Sequence, residues 1–330
     1  MKVKFCFFLS FSVFVCSFVF VCLILIAPKK SKSKNTVNLC ATGEINSLFN
    51  MSLSKEEKAV SVSSSDTVLG KVTERYISPY TANTSYNNVF LKNSTDLQID
   101  IKSLLTSPLS FSLKKDGDSP KILIYHTHAT ESYLDCEKDF YTKSDTPRNR
   151  NKEKNMVLIG KTVSDILNKN GVITLHDTTL HDYPSYNESY SNSAKTVVSY
   201  KKKDPSINIF IDIHRDSITD SNGDKTKLTK DINGKKAAQI MLVMGSQSGG
   251  VTNFPDYKEN LKLAVKIQDK IESTYPGLAR SLSLMPKNYN ESLSKGSVLI
   301  EIGTDANTLK EATYSAELLG ECLSALFKEL

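Results

Sequence analysis

The chain has 330 residues, 39% hydrophobic and 24% charged, with a formal net charge of +6. Six of its 42 lysines and arginines lie in residues 1–34, which hold no acid, so residues 35–330 carry 36 residues of each sign. A neutral body leaves no basic footprint for DNA or RNA, and nucleic-acid binding is excluded on that ground.

From Phe5 to Ala27 run 23 residues without a charge. At ~1.5 Å rise per residue such a helix covers the ~30 Å hydrocarbon layer, and no A-x-A cleavage site follows it, so it reads as an uncleaved membrane anchor. Lys29, Lys30, Lys32 and Lys34 behind the span outnumber Lys2 and Lys4 before it. By loop charge alone that bias would keep the body cytoplasmic. Residues 1–34 are thus anchor and basic flank. Residues 35–94, rich in Ser, Thr, Asn and Lys, read as a largely disordered tether, and residues 95–330 as the folded domain. Three cysteines (Cys6, Cys16, Cys22) fall in the apolar span, while Cys40, Cys136 and Cys322 are far apart with no C-x-x-C pair. That excludes a zinc finger and a disulfide scaffold.

Within the folded part, Leu97, Ile101, Leu104 and Leu105 have helical spacing. A strand over Lys121–Tyr125 precedes a helix from about Asn155 to Asn170, with Ile159, Val163, Ile166 and Leu167 on one face and Gly171 as its stop. A strand "VITLHD", a helix around "SYSNSAKTVVSYKKK" and a buried strand "INIFIDI" follow. A polar, turn-rich stretch over 216–236 leads to a strand "AQIMLVMG" and a helix over 257–274. The strands "RSLSLM" and "SVLIEI" and a final helix from near Asn307 complete the order. Apolar strands separated by amphipathic helices predict an α/β fold with a mostly parallel central sheet flanked by helices.

Function in such sheets gathers beyond the carboxyl ends of the strands. One strand ends in His126, His128 and Glu131, another in His214, Arg215 and Asp216, and Glu301 sits inside the last apolar run. Two histidines and a carboxylate with an open fourth position form the catalytic zinc pattern, and a further glutamate supplies the proton transfer that zinc hydrolysis needs. Each part also has an ordinary reading. A strand-end histidine caps or faces water, Glu301 points to solvent from a one-sided strand, and Arg215 pairs with Asp212 or Asp216. His176 and His181 line the rim of the cleft or add ligands.

The segments "ILIYHTHATESY", "HDTTLHDYPSYNESYSNS", "IDIHRDS" and "LIEIGTDANTLKEA", in this order behind an N-terminal anchor, resemble the stage II sporulation protein P family over about residues 95–330. The resemblance implies a zinc-dependent (Zn2+) N-acetylmuramoyl-L-alanine amidase-like peptidoglycan hydrolase that also cleaves stem-peptide cross-links. It implies a body outside the cytoplasmic membrane at the sporulation septum, against the lysine count. It further implies a partner in engulfment, the lytic transglycosylase stage II sporulation protein D. On this reading His126 or His128, Glu131 and His214 hold zinc, and Glu301 takes the proton and delivers it to the leaving amine. Arg215 steadies the oxyanion or a substrate carboxylate. The pattern of more distant zinc amidases, laid on without gaps, selects His128 and would make Glu153 the carboxylate ligand. If the pleat of the strand persists, His126 and His128 point the same way and both reach the site. A zinc carboxypeptidase acting on stem peptides and a non-catalytic wall-binding scaffold are the rival classes.

Overall fold

The computed structural model describes residues 66–113 and 119–330. The expected anchor, Cys40 and the first part of the expected tether lie outside the described residues. Among the described residues no helix is long and apolar enough to cross a membrane. Strands β1 (Val68–Arg75), β2 (Thr84–Tyr86) and β3 (Val89–Asn93) precede helix α1 (Ile101–Thr106), β4 (Ile122–Tyr125) and β5 (Phe140–Thr142). Then come α2 (Met156–Lys169), β6 (Thr174–His176), α3 (Ser189–Lys203), β7 (Ile209–Asp216), β8 (Lys225–Ile232) and β9 (Lys235–Ala238). The chain closes with β10 (Ile240–Gly245), α4 (Tyr257–Thr274), β11 (Leu282–Met285), β12 (Ser297–Thr304) and α5 (Leu309–Glu329).

The main sheet has eight strands in the order β2-β3-β11-β10-β12-β7-β4-β6. It is mixed, which corrects the expectation of a mostly parallel sheet. β6, β4, β7 and β12 run one way. β10 is antiparallel to β12, β11 and β3 follow β10, and β2 turns back on β3. β10 is entered from the antiparallel hairpin β8–β9 through Gln239 and not from a helical crossover, and it is the helical crossover that joins successive parallel strands.

A second sheet, ordered β5-β1-β8-β9, was not foreseen in the sequence. Residues 68–93, expected to belong to the tether, and 216–236, expected to be turn-rich, supply β1, β2, β3 and β8. Their lysines hid them. Lys225 and Lys227 are buried in β8, where Lys225 Nζ lies 2.7 Å from Asp305 and Lys227 Nζ 3.1 Å from Glu311, with Glu137 also in contact. Buried ammonium groups persist only when paired, and these partners come from distant parts of the chain.

Strand alternation divides the packing. Ile122 and Ile124, Ile209, Ile211 and Ile213, and Val298, Ile300 and Ile302 share one core with Ile159 and Val163 of α2, Leu261 of α4 and Leu319 of α5. On the opposite face Leu123, Tyr125 and Phe210 pack against Val197 of α3. Asp212, His214 and Glu301 occupy the alternate positions, so they continue the α3 face. Helix α5 starts at a capping box between Thr308 and Glu311.

Candidate functional site

Three parallel strands deliver the site. β7 and β12 are in register with Glu301 opposite His214, so the two side chains leave adjacent strands on the same face, about 4.8 Å apart at the backbone. The chain after β4 turns sharply, with the Glu131 amide donating to the His128 carbonyl at 3.1 Å, and brings both side chains over the end of β7. His214 Nδ1 lies 3.8 Å from Glu131 Oε2, and the His214 ring meets that of His128 edge to face at 5.3 Å. Behind His214, Nε2 is 2.9 Å from Asp212 Oδ1, close but out of line for a hydrogen bond. Asp212 is itself held by the amide of Thr127 at 2.8 Å and its hydroxyl at 2.5 Å. His128 stacks on Tyr186 at 4.6 Å, and Tyr190 meets it edge-on at 5.6 Å.

The electrostatics follow from burial among carboxylates. Burial disfavours the His214 cation, but Asp212, then Glu131 and Glu301, outweigh it and push its pKa up to about 9. Burial drives His128 the other way, down to about 4, with the neighbouring His214 adding to the shift. Glu301 is raised to about 8 by burial, with Asp216 adding and His214 and Arg280 opposing. Burial also raises Glu131, against the pull of Arg215 and His214. Three of the polar atoms here are buried without a hydrogen-bond partner: His128 Nδ1, His214 Nε2 and Glu301 Oε2. Among the described residues no three His, Cys, Asp or Glu side chains stand placed to hold a metal ion.

The remaining expected residues are arranged differently. The pleat does not persist past Tyr125, so His126 and His128 part company. His126 turns to the α2 face, where Nδ1 is 2.9 Å from the Ile213 carbonyl and Nε2 2.9 Å from His176 Nε2. It does not meet His214 in the pocket. Glu153 is exposed in the loop before α2. Arg215 donates from Nε to Ser132 O at 2.7 Å, from Nη2 to Pro147 O at 2.5 Å and from Nη1 to Asp216 O at 3.1 Å. Its guanidinium is spent on backbone carbonyls and holds the 131–147 loop, and Asp216 pairs with Arg280 instead at 2.7 Å. His181 is buried between the His126 carbonyl and the Thr196 hydroxyl at 2.7 and 2.8 Å, a structural role. Cys136 and Cys322 are both free.

The His126–His176 contact explains a glycine. A Cβ on Gly160 of α2 would stand 2.4 Å from His126 Nε2 and 2.7 Å from His176 Nε2. Alanine favours a helix over glycine by ~1 kcal/mol, but overpacking the buried His126 ring and the His176 ring against it costs about 1–3 kcal/mol and wins. Gly160→Ala is therefore expected to lower the denaturant midpoint, and an unchanged midpoint would mean that the pair yields freely.

Sequence reasoning missed Asp212 as a site residue, although a charge inside the buried strand "INIFIDI" carries the same signal that singled out Glu301. It also missed Tyr186, Tyr190 and Tyr289. Tyr289 and Asn290 both have left-handed backbones, with φ of 50° and 61°. Such strain survives where the surroundings impose it. Asn290 Nδ2 anchors the turn on Tyr190 O at 2.7 Å and Ser193 Oγ at 3.0 Å, which brings the Tyr289 ring 6.4 Å from that of Tyr190. No local pattern predicts that arrangement.

This is an α/β protein with a buried pair of histidines, the buried Glu131 and the partly buried Glu301 gathered at the carboxyl ends of three parallel strands. The chain belongs to the stage II sporulation protein P family, whose description matches residues 28–324. It is 29% identical over 224 residues to the stage II sporulation protein P of Bacillus subtilis (strain 168), a match over 64% of this chain and 52% of that protein. The chain thus spans about half the length of the curated relative it matches. Similar solved structures include the N-acetylmuramoyl-L-alanine amidase AmiC2 of Nostoc punctiforme, at 13% identity and TM-score 0.37, covering 65% of this chain and 98% of that one. An N-acetylmuramoyl-L-alanine amidase from Clostridium difficile 630 has 15% identity and TM-score 0.38, covering 64% of this chain and 97% of that one.

Proposed function

We propose that this protein is a zinc-dependent peptidoglycan hydrolase of sporulation, an N-acetylmuramoyl-L-alanine amidase that also cuts stem-peptide cross-links. The observation that carries the reading is the convergence of His128, Glu131 and His214 beside Glu301, with His128 Nδ1 buried and without a hydrogen-bond partner. Buried polar atoms are normally satisfied, and a dication is the partner whose chemistry suits imidazole and carboxylate together. His128, Glu131 and His214 would hold the ion. Asp212 behind His214 fits the carboxylate that orients a ligand imidazole and fixes its tautomer. Bound zinc would act as a Lewis acid that polarises the scissile carbonyl and acidifies water.

The chain's own residues do the rest. Glu301 stands beside the proposed ligands, where a carboxylate can take a proton and hand it to the departing amine. Tyr186 stacked on His128 and Tyr190 edge-on to it frame the approach from one side. Arg215 is a positioning residue: through three guanidinium N–H bonds to backbone carbonyls it ties the loop bearing Glu131 to β7. His126 supports the site from beneath through the Ile213 carbonyl, one residue before His214. The membrane anchor, the extracytoplasmic location and the transglycosylase partner rest on residues 1–34 and on the family resemblance.

The test is metal analysis of the purified full chain together with product identification on peptidoglycan. About one zinc per chain is expected, with glycan strands that have lost the whole stem peptide and with cleavage that stops on chelation and returns with zinc. Loss of only terminal amino acids would favour the carboxypeptidase, and cleavage indifferent to a chelator would end the zinc assignment.

A further inference from the structure

One rim of the site carries cations on aromatic rings, and the proposed chemistry does not use them. An antiparallel bridge between Glu131 and Arg148, with the Asn149 amide donating to Thr130 O at 2.7 Å, lays residues 147–150 beside the loop that bears Glu131. Alternation along an extended segment puts Arg148 and Arg150 on the same side, about 7 Å apart. Arg148 lies over the Tyr186 ring at 4.4 Å, and Tyr186 in turn stacks on His128. Its charge is already answered by Asp182 at 2.7 Å, with Glu131 at 3.9 Å.

Arg150 differs. It lies over the Tyr183 ring at 4.7 Å and gives one N–H to the Tyr183 hydroxyl at 2.7 Å. Among the described residues it has no carboxylate partner. Tyr183 and Tyr186 are 50% and 51% exposed, unusual for rings of that size, so this edge of the site is an open aromatic shelf. A guanidinium laid flat on a ring loses little further freedom on binding, and its free N–H edge matches a carboxylate.

We propose that Arg150, seated on Tyr183, receives a carboxylate of an acidic peptide, so that the peptide arm of the substrate lies along the Tyr186–Tyr183 shelf. The assignment rests on the peptidoglycan hydrolase reading, since stem peptides are the anionic part of that polymer. It makes Arg150 a specificity residue that selects free carboxylates over amidated ones.

The experiment uses the full chain with Glu301→Gln, so that turnover is slow against the titration, and soluble disaccharide-peptide fragments in two forms: stem carboxylates free, or converted to carboxamides. Calorimetry should give a dissociation constant about tenfold lower for the free acid, the size of one charge-assisted hydrogen-bonded contact. Adding Arg150→Ala should erase that preference while leaving affinity for the amidated fragment within about twofold. Arg150→Lys should restore part of it. Equal affinities for the two forms before Arg150 is changed, a preference that survives Arg150→Ala, or no binding of either form would each overturn the proposal. The unsubstituted chain on the same fragments judges the other reading separately. Cleavage without a carboxylate preference removes only the shelf assignment, and a preference without cleavage removes only the hydrolase.

Discussion

Glu301→Gln is expected to reduce cleavage of peptidoglycan by about 10²–10⁴-fold, the contribution of a positioned acid–base group. Zinc content should stay unchanged. The expectation follows from the strand register: Glu301 stands opposite His214 on the neighbouring strand, beside the proposed ligands but not among them. Glutamine keeps the shape and removes the proton transfer. The fold should tolerate the change, because burial already presses Glu301 toward its neutral form and one oxygen has no hydrogen-bond partner to lose. Thermal unfolding with an unchanged midpoint, next to lost turnover, would separate chemistry from stability. Turnover within a few fold of the parent would remove Glu301 from the mechanism.

The second large effect divides the two histidines of "HTH". His128→Ala should bring bound zinc to near zero with a modest change in stability, because His128 Nδ1 has no hydrogen bond to lose within the protein. His126→Ala should keep zinc and cost about 2–4 kcal/mol, since it opens a cavity and strips the Ile213 carbonyl and His176 of a buried partner. Metal stoichiometry and urea denaturation on the same preparations read both quantities. The reverse pattern, with zinc lost in His126→Ala and kept in His128→Ala, would place the ion on the α2 face and require a different site.

Much of the main sheet was legible because its strands are continuous apolar runs between amphipathic helices. α2, α3, α4 and α5 begin and end close to where periodicity and caps put them. The second sheet was not legible. A lysine in β8 looks like solvent-facing chain until Asp305 and Glu311, about 80 residues away, are seen to neutralise it. The alternation rule failed at His128 for a related reason: it holds only while the backbone stays a strand, and the chain leaves β4 at Tyr125.

The sequence by itself determined the α/β class and membership of the family and singled out His126, His128, Glu131, His214, Arg215 and Glu301 as candidates, because each is written in local pattern: apolar periodicity, polar groups at strand ends, and ordered motifs. The tertiary structure alone decided which histidine faces the pocket, that Asp212 backs His214, that Arg215 is spent on carbonyls, and that Arg150 rides free on Tyr183. Those facts depend on side-chain direction and on contacts between residues far apart in the chain, and neither is fixed until the strands and loops have packed.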